Sequence, residues 1–276
     1  MAETAYQIQY RQEFIAGFEQ RQSLVRNCTT TEAVIKGNQA TFLVADSGSA
    51  EAVTRGVNGL IPARADNLTQ NTATLVEWHD LVRRTNFNLF ASQGDGRRIM
   101  QDTSMGTINR KIDSDIITEL NTATQDTGTT ATGSLSMAMH AIAILGNNSV
   151  PMDGNIFALI TPAMLAYLMQ TKEFASADYT GNKPFDGQPM MFRWAMCSWI
   201  VHPNLPGKGT TAEKCFMFHK SAIGHAANTG EMQTAVGYED EQDYSFARAS
   251  IFMGAKLLQN SGVVVMNHDG SGFAAS

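Results

Sequence analysis

Six histidines, three cysteines and a run of carboxylates are the residues of this 276-residue chain with the best-known chemistry. No histidine opens an HExxH, the pattern that sets two zinc ligands and a general base on one helix face. His219 and His225 lie six apart in HKSAIGH. Neighbours on one helix face stand three or four apart, and no acidic residue falls between the two, so both read as packing or hydrogen-bonding residues. Residues 206–210, PGKGT, resemble a phosphate loop only in part: the motif's first glycine is missing, and Gly209 follows Lys208 where Ser or Thr is needed. No GxSxG elbow and no GxGxxG occurs. Cys28, Cys197 and Cys215 are odd in number and show no CxxC. Neither a disulfide framework nor a structural zinc site is expected, and reduced thiols in a cytosolic compartment fit best. Glu239, Asp240, Glu241 and Asp243 offer hard oxygens for calcium but lack the alternating ligands and mid-loop glycine of an EF-hand. They read as a solvated loop or as partners for an arginine of a neighbouring subunit. Trp78, Trp194 and Trp199 have no basic residues interleaved around them and read as core or interface anchors. The motifs provide no catalytic residue, no cofactor site and no metal site.

Composition points the same way. Lys+Arg 20 against Asp+Glu 26 leaves a net charge of −6, a poor match for neutralising phosphates. The basic pairs Arg83-Arg84 and Arg97-Arg98 are isolated and read as subunit salt-bridge partners or solvated positions. Charged residues make up 17% of the chain, against about 25% in ordinary soluble domains, and Gly, Thr and Asn fill the deficit. Surfaces of that kind can be buried in contacts with little ion desolvation. A 43% hydrophobic content excludes disorder. No run reaches the roughly 18–20 apolar residues that a membrane helix needs. The start, MAETAYQIQYRQEF, has no basic stretch followed by an apolar core, so no secretory signal is expected.

The elements that must position these residues can be read from periodicity. Residues 6–26 carry Ile8, Phe14, Ile15, Phe18 and Leu24 among polar residues, an amphipathic helix or arm. Residues 33–36 and 40–44 flank Gly37-Asn38, a hairpin signal. Residues 46–77 are poor in apolar residues yet alternate in places. They read as two polar strands joined around Leu60-Ile61-Pro62-Ala63, too thinly anchored to be stable alone. From Arg97 to Thr122, Met105, Ile108, Ile112, Ile116 and Leu120 recur at three and four residues, predicting a long helix. A polar linker follows to Gly133. A helix is expected near 134–145, a buried strand at 156–160, and a helix opened by Thr161-Pro162. A long loop spans 172–190. Further strands are expected at 193–202, 214–219, 232–238 and 251–257, then a turn at Asn260-Ser261-Gly262 and a strand at 263–266. The mixed order predicts an α+β fold.

Several strings carry a resemblance: YRQEFIAGFEQRQSLVRN at 10–27, TTEAVIKGNQATFLVADSG at 30–48, GVNGLIPARADNLTQN at 56–71, VEWHDLVRRTNFNLFASQG at 76–94, WIVHPNLPGKGTTAEKCFMFHKSAIGHAANTGEM at 199–232 and LLQNSGVVVMNHDG at 257–270. In these the chain resembles the major capsid protein of tailed double-stranded DNA bacteriophages, most closely a compact subfamily of podovirus-like phages.

The resemblance implies the shell fold shared with herpesvirus capsids and encapsulins. It places an N-terminal arm and hairpin at 1–45, an extended loop at 46–77, a peripheral domain with a spine helix at 78–133, an axial domain at 134–240 and return strands of the peripheral domain at 241–276. It implies contacts between subunits through the extended-loop residues Arg55, Leu60, Ile61, Arg64 and Asp66, and through Tyr179, Lys183 and Phe185 of an axial loop. Arg83, Arg84, Glu239, Asp240 and Glu241 are candidates for ion pairs between subunits. The implied function is self-assembly into hexamers and pentamers of an icosahedral shell that encloses double-stranded DNA without reading its sequence. No enzyme activity and no membrane partner are implied; a portal is, and assembly takes place in the cytoplasm of the host bacterium. Some relatives staple subunits through a lysine of the extended loop; here no lysine lies between Lys36 and Lys111, so a non-covalent shell is expected. Others carry a long built-in scaffold at the N-terminus; here the body begins almost at once, so a separate scaffolding protein is expected. An encapsulin-like nanocompartment shell is the near alternative, and a cytosolic α+β enzyme the distant one.

Overall fold

A computed structural model describes residues 22–31, 33–47, 50–64, 66–85, 96–175, 191–228 and 233–274. The helix expected from residue 6, up to residue 21, and most of the loop expected at 172–190 lie outside these. The chain divides into two compact units. Residues 24–76, 112–227 and 253–276 form the larger, and residues 77–111 with 228–252 lie in the smaller.

In the larger unit, strands β1 (Val34–Lys36) and β2 (Gln39–Asp46) form the expected hairpin, closed by the pair Lys36↔Gln39. Gly37 takes φ +61 there, a conformation in which a Cβ is penalised. The partner of β2 on its other side is β3 (Asn67–Thr74), in an eight-residue antiparallel register from Gln39↔Thr74 to Asp46↔Asn67. The sequence predicts both strands of the extended loop inside 46–77. The structure places only the returning strand there, because β2 serves the short hairpin and the long one at once.

The core of this unit is a five-stranded sheet of order β12-β8-β5-β7-β6. Its strands are β5 (Ile156–Ile160), β6 (Met191–Trp194), β7 (Cys197–Val201), β8 (Glu213–His219) and β12 (Val263–His268). Strands β5 and β7 are parallel, and the crossover carries helix α3 (Pro162–Met169). Thr161 caps that helix by accepting from the Met164 N–H at 3.2 Å, with Pro162 in the first turn, as the sequence predicts. Helix α2 (Leu135–Asn147) is capped the same way, Ser134 accepting from the Met137 N–H at 3.2 Å.

The strand expected at 193–202 is in fact a hairpin. Strands β6 and β7 pair antiparallel down to Trp194↔Cys197, and the turn is Ala195-Met196 with φ 48 and 63. Two left-handed residues make the turn that suits a tight hairpin, normally filled by Asn-Gly; residues with a Cβ pay about 1–2 kcal/mol each in that region. Without Gly or Asn the sequence carries no turn signal. Tertiary packing overrides it: the ring of Phe174 meets Trp194 edge-on at 4.9 Å, Phe192 stacks on Trp199 at 6.2 Å, and the Trp199 Nε1–H donates to the Trp194 carbonyl at 2.9 Å.

In the smaller unit, β10 (Gln233–Glu239) pairs antiparallel with the first half of β11 (Tyr244–Leu257), from Gln233↔Ser250 to Glu239↔Tyr244. Strand β4 (Val76–Thr85) lies on the other side of β11. The Lys111 ammonium sits 3.8 Å from the ring centre of Trp78, a cation–π contact. In the larger unit, the second half of β11 pairs with β9 (Ile223–Ala227), Leu257↔Ile223 through Met253↔Ala227. Thus residues 241–276, expected to return together to the peripheral domain, divide: β11 serves the β10-β11-β4 sheet, whereas β12 runs antiparallel to β8 in the five-stranded sheet. The run Val263-Val264-Val265-Met266 is buried throughout, as a strand covered on both faces must be.

Helix α1 (Gly96–Leu120) has 25 residues, about 37 Å at 1.5 Å per residue. Burial falls on Met100, Ser104, Ile108, Ile112, Ile116 and Leu120, widened by Asp113 and Ile117. Met105, counted on the apolar face from spacing, is exposed; it stands one residue, about 100°, off the buried row. None of the described helices is long and apolar enough to cross a membrane.

Candidate assembly surface

The β2–β3 arm is anchored on one face only. Ala40, Phe42 and Ala73 are buried in a small cluster with Ala226 of β9, and Ala33, Leu75 and Leu258 pack against it. Gly224 is required here, since a Cβ on it would lie 2.7 Å from the Phe42 ring. Asn71 Nδ2–H donates to the Leu258 carbonyl at 3.2 Å. The opposite face of the same strands leaves Val34, Leu43 and Leu68 exposed.

Past the last rung the chain runs out as a loop, and every described residue from 50 to 64 is exposed. Short-range backbone bonds shape its tip: Gly56 N–H to the Leu60 carbonyl at 3.0 Å, and Gly59 N–H to the Gly56 carbonyl at 2.8 Å. Val53, Leu60 and Ile61 are 63%, 73% and 65% exposed, and Val57 is fully exposed. Single exposed apolar side chains are ordinary, but several on one projecting segment mark a contact surface. Arg55 is exposed beside them, and Arg64 pairs with its near neighbour Asp66 at 2.5 Å. Exposed as it is, that pair contributes little to stability.

The other residues singled out by sequence fall elsewhere. Tyr179, Lys183 and Phe185 lie outside the described residues. Glu239, Asp240 and Glu241 run into the turn between β10 and β11, where the Tyr238 hydroxyl donates to Asp243 Oδ1 at 2.6 Å. Arg83 lies over the Tyr244 ring at 4.9 Å, and Tyr244 is the ladder partner of Glu239. Arg83 and the acidic turn therefore share one end of one sheet within a single subunit. Arg84 is half-buried on β4.

Buried polar groups in the larger unit tie elements together. Asp113 on α1 accepts from the Leu24 and Val25 N–H groups at 3.0 and 3.3 Å and meets His202 Nε2 at 3.4 Å. His202 Nδ1 accepts from the Asn204 N–H, so Nε2 carries the proton and donates to Asp113. Glu213 accepts from the Thr161 hydroxyl, from the Gly209 N–H at 2.9 Å and from His268 Nδ1 at 2.9 Å. Sequence spacing could not reveal this group, because 55 residues separate Glu213 from His268. Cys215 completes a buried Glu–Cys–His set. Both Glu213 oxygens are already engaged, and burial pushes the Cys215 thiol up to about 12. The hydrogen bonds of Glu213 make the set a post that ties β8 to β12 and to the start of α3. Cys28 and Cys197 are also free and buried, their thiols pushed up to about 12 and about 11 by burial.

The two histidines of HKSAIGH do unrelated work. His219 bonds Ser221 at 2.7 Å and Asp153 at 3.1 Å. Asp153 is held down to about 2, first by Asn155 and then by His219. His225 has both ring nitrogens buried without a hydrogen-bond partner. Burial first, then the Arg26 charge, lower it from 6.5 to about 4, with Asp113 opposing. Below pH 6.5 the unfolded chain takes up a proton that folded His225 refuses until about pH 4. Stability is therefore lost as pH falls through that window, by about 3 kcal/mol at its foot. Urea unfolding of the free subunit at pH 7, 5.5 and 4 is expected to show this loss, and His225→Leu to flatten it.

The fold is similar to several solved structures. The fold matches a structure from Mycobacterium phage Che8 with TM-score 0.72 at 18% identity, over 93% of this chain and 98% of that one. It matches the capsid of cyanophage P-SCSP1u with TM-score 0.71 at 11% identity, over 94% and 91%. The capsid of a native GTA particle matches with TM-score 0.68 at 12% identity, over 93% of each chain. These likenesses define the class, the α+β capsid fold expected from the sequence. The chain itself belongs to the phage capsid protein family, whose family model matches residues 2–270. It is a structural shell protein of the virion, self-assembling by descent from that family. No curated protein sequence matches it.

Proposed function

We propose that copies of this chain close into hexamers and pentamers of an icosahedral shell around double-stranded DNA, each subunit's extended loop lapping over its neighbour. The observation that carries this reading is the loop tip, with Val53, Val57, Leu60 and Ile61 exposed on a segment whose buried anchors, among the described residues, lie at its base. Apolar side chains held in water contribute about 1.5–3 kcal/mol each once covered. Each contact alone is weak; their sum is strong only when the lattice closes, so misplaced subunits can leave and rebind. A net charge of −6 suits a container that must not adhere to the DNA it holds. A separate scaffolding protein and a portal are the partners this reading requires, with assembly in the host cytoplasm.

Negative-stain imaging of the protein, expressed with and without a scaffold encoded beside it, tests the reading. Uniform large particles, better formed with scaffold, are expected; a small soluble oligomer under both conditions overturns it. With no lysine between Lys36 and Lys111, particles boiled in denaturant are expected to run as a single monomer band. A ladder of linked multimers contradicts the non-covalent shell.

A further inference from the structure

The tip of the loop between β2 and β3 carries the chain's single Asn-Gly pair, Asn58-Gly59. Both residues are exposed. The side-chain amide of an asparagine lies within reach of the backbone nitrogen that follows it, and the next side chain is what usually obstructs their meeting. Glycine has none. A Cβ built on Gly59 would itself meet nothing within 4 Å, so the space around this backbone is open.

The two Asn-Ser pairs of the chain are the next least obstructed, and both have their asparagine tied down. Asn148 Nδ2–H donates to Gln125 Oε1 at 2.8 Å and to the Ser261 carbonyl at 3.1 Å. Asn260 Oδ1 accepts from the Thr124 N–H at 2.9 Å, and its Nδ2–H donates to Thr124 Oγ1 at 2.8 Å. The Asn58 amide has no hydrogen-bond partner among the described residues and can turn onto the Gly59 nitrogen. That nitrogen donates its hydrogen to the Gly56 carbonyl at 2.8 Å, inside the turn closed by Gly56 N–H and the Leu60 carbonyl. No described residue from 50 to 64 is buried, so water can replace both bonds and the turn opens at little cost.

We propose that Asn58 is a modification site of the free subunit, losing its amide to attack by the Gly59 nitrogen. The bond from that nitrogen to Asn58 Cγ forms as the Cγ–Nδ2 bond breaks, and the nitrogen's proton leaves with the amide as ammonia. Water then opens the resulting succinimide at either carbonyl, giving aspartate or isoaspartate. Both products put a carboxylate between Val57 and Leu60, and isoaspartate also lengthens the backbone within the turn. The consequence rests on the shell reading above, in which this tip lies on a neighbour. A carboxylate brought into an apolar contact is desolvated without a partner, so a converted subunit joins the shell poorly. A covered tip no longer opens its turn. The reaction therefore retires subunits that wait too long outside a shell.

Trypsin cuts after Arg55 and Arg64 and releases residues 56–64 as one peptide, whose mass reports the change from amide to acid. Free wild-type subunit held at mildly alkaline pH is expected to convert Asn58 ahead of every other asparagine, and Asn58→Gln to leave this peptide unchanged. A wild-type peptide that stays unmodified in the free subunit overturns the proposal, as does equal conversion in free subunits and in assembled particles. Asn58→Asp reads the consequence: it is expected to melt with wild type, as exposed substitutions do, and to weaken each contact about tenfold. An Asn58→Asp protein that assembles at the wild-type concentration overturns the effect on assembly. Wild-type protein that forms no particles overturns the shell reading, while the peptide masses still decide the modification.

Discussion

A subunit carrying Val57→Ser, Leu60→Ser and Ile61→Ser is expected to melt at the wild-type temperature and to form no shells. All three side chains are exposed in the free subunit, so the substitutions remove no core contact. Surface changes of that kind usually stay within about 0.5 kcal/mol. If the loop lies on a neighbour, each side chain contributes about 1.5–3 kcal/mol to that contact. Losing all three weakens it by more than about a thousandfold, at roughly 1.4 kcal/mol per tenfold. Because a shell closes through many such contacts at once, its yield falls far more steeply than any single affinity. Thermal unfolding of the subunit and sedimentation of the assembly mixture separate the two effects. Wild-type yields of closed particles from the triple variant would rule out the loop tip as an assembly contact.

Glu213→Ala is expected to act in the opposite way, destroying the subunit before assembly is reached. Its carboxylate is wholly buried and accepts from the Thr161 hydroxyl, the Gly209 N–H and His268 Nδ1. It thereby joins the start of α3, the 207–210 turn and the end of β12. Alanine would leave His268 Nδ1 buried without a partner and the half-buried Gly209 N–H without its acceptor. Breaking a buried charged group of this kind costs about 3–5 kcal/mol, a fall in melting temperature on the order of 10 °C. Glu213→Gln keeps the shape and one acceptor and is expected to lose roughly half as much. An alanine variant that melts within about 2 °C of wild type would show that the post does not hold these elements together.

The periodic elements were legible from the chain alone. The spacing of Ile108, Ile112, Ile116 and Leu120 specifies the long helix, Thr161-Pro162 specifies the start of α3, and Gly37-Asn38 specifies the first hairpin. Each of these signals is local, a few residues whose backbone preference or apolar repeat needs no distant partner. The family strings made the capsid fold legible as well, and the exposed tip at Leu60 and Ile61 followed from the shortage of apolar anchors around it.

What the sequence could not convey is what depends on residues far apart along the chain. The register that pairs β2 with both β1 and β3, the departure of β12 from β11, and the Glu213–His268 post exist only because burial brings distant segments together. The Ala195–Met196 turn runs against local preference and is held by aromatic packing beneath it. By itself, the amino-acid sequence determined which segments become helix or strand, and that one long loop lacks a core of its own. Only the tertiary structure decided which strands meet, which polar groups are buried together and which apolar side chains stay in water, because those outcomes are set by competition for buried area over the whole chain.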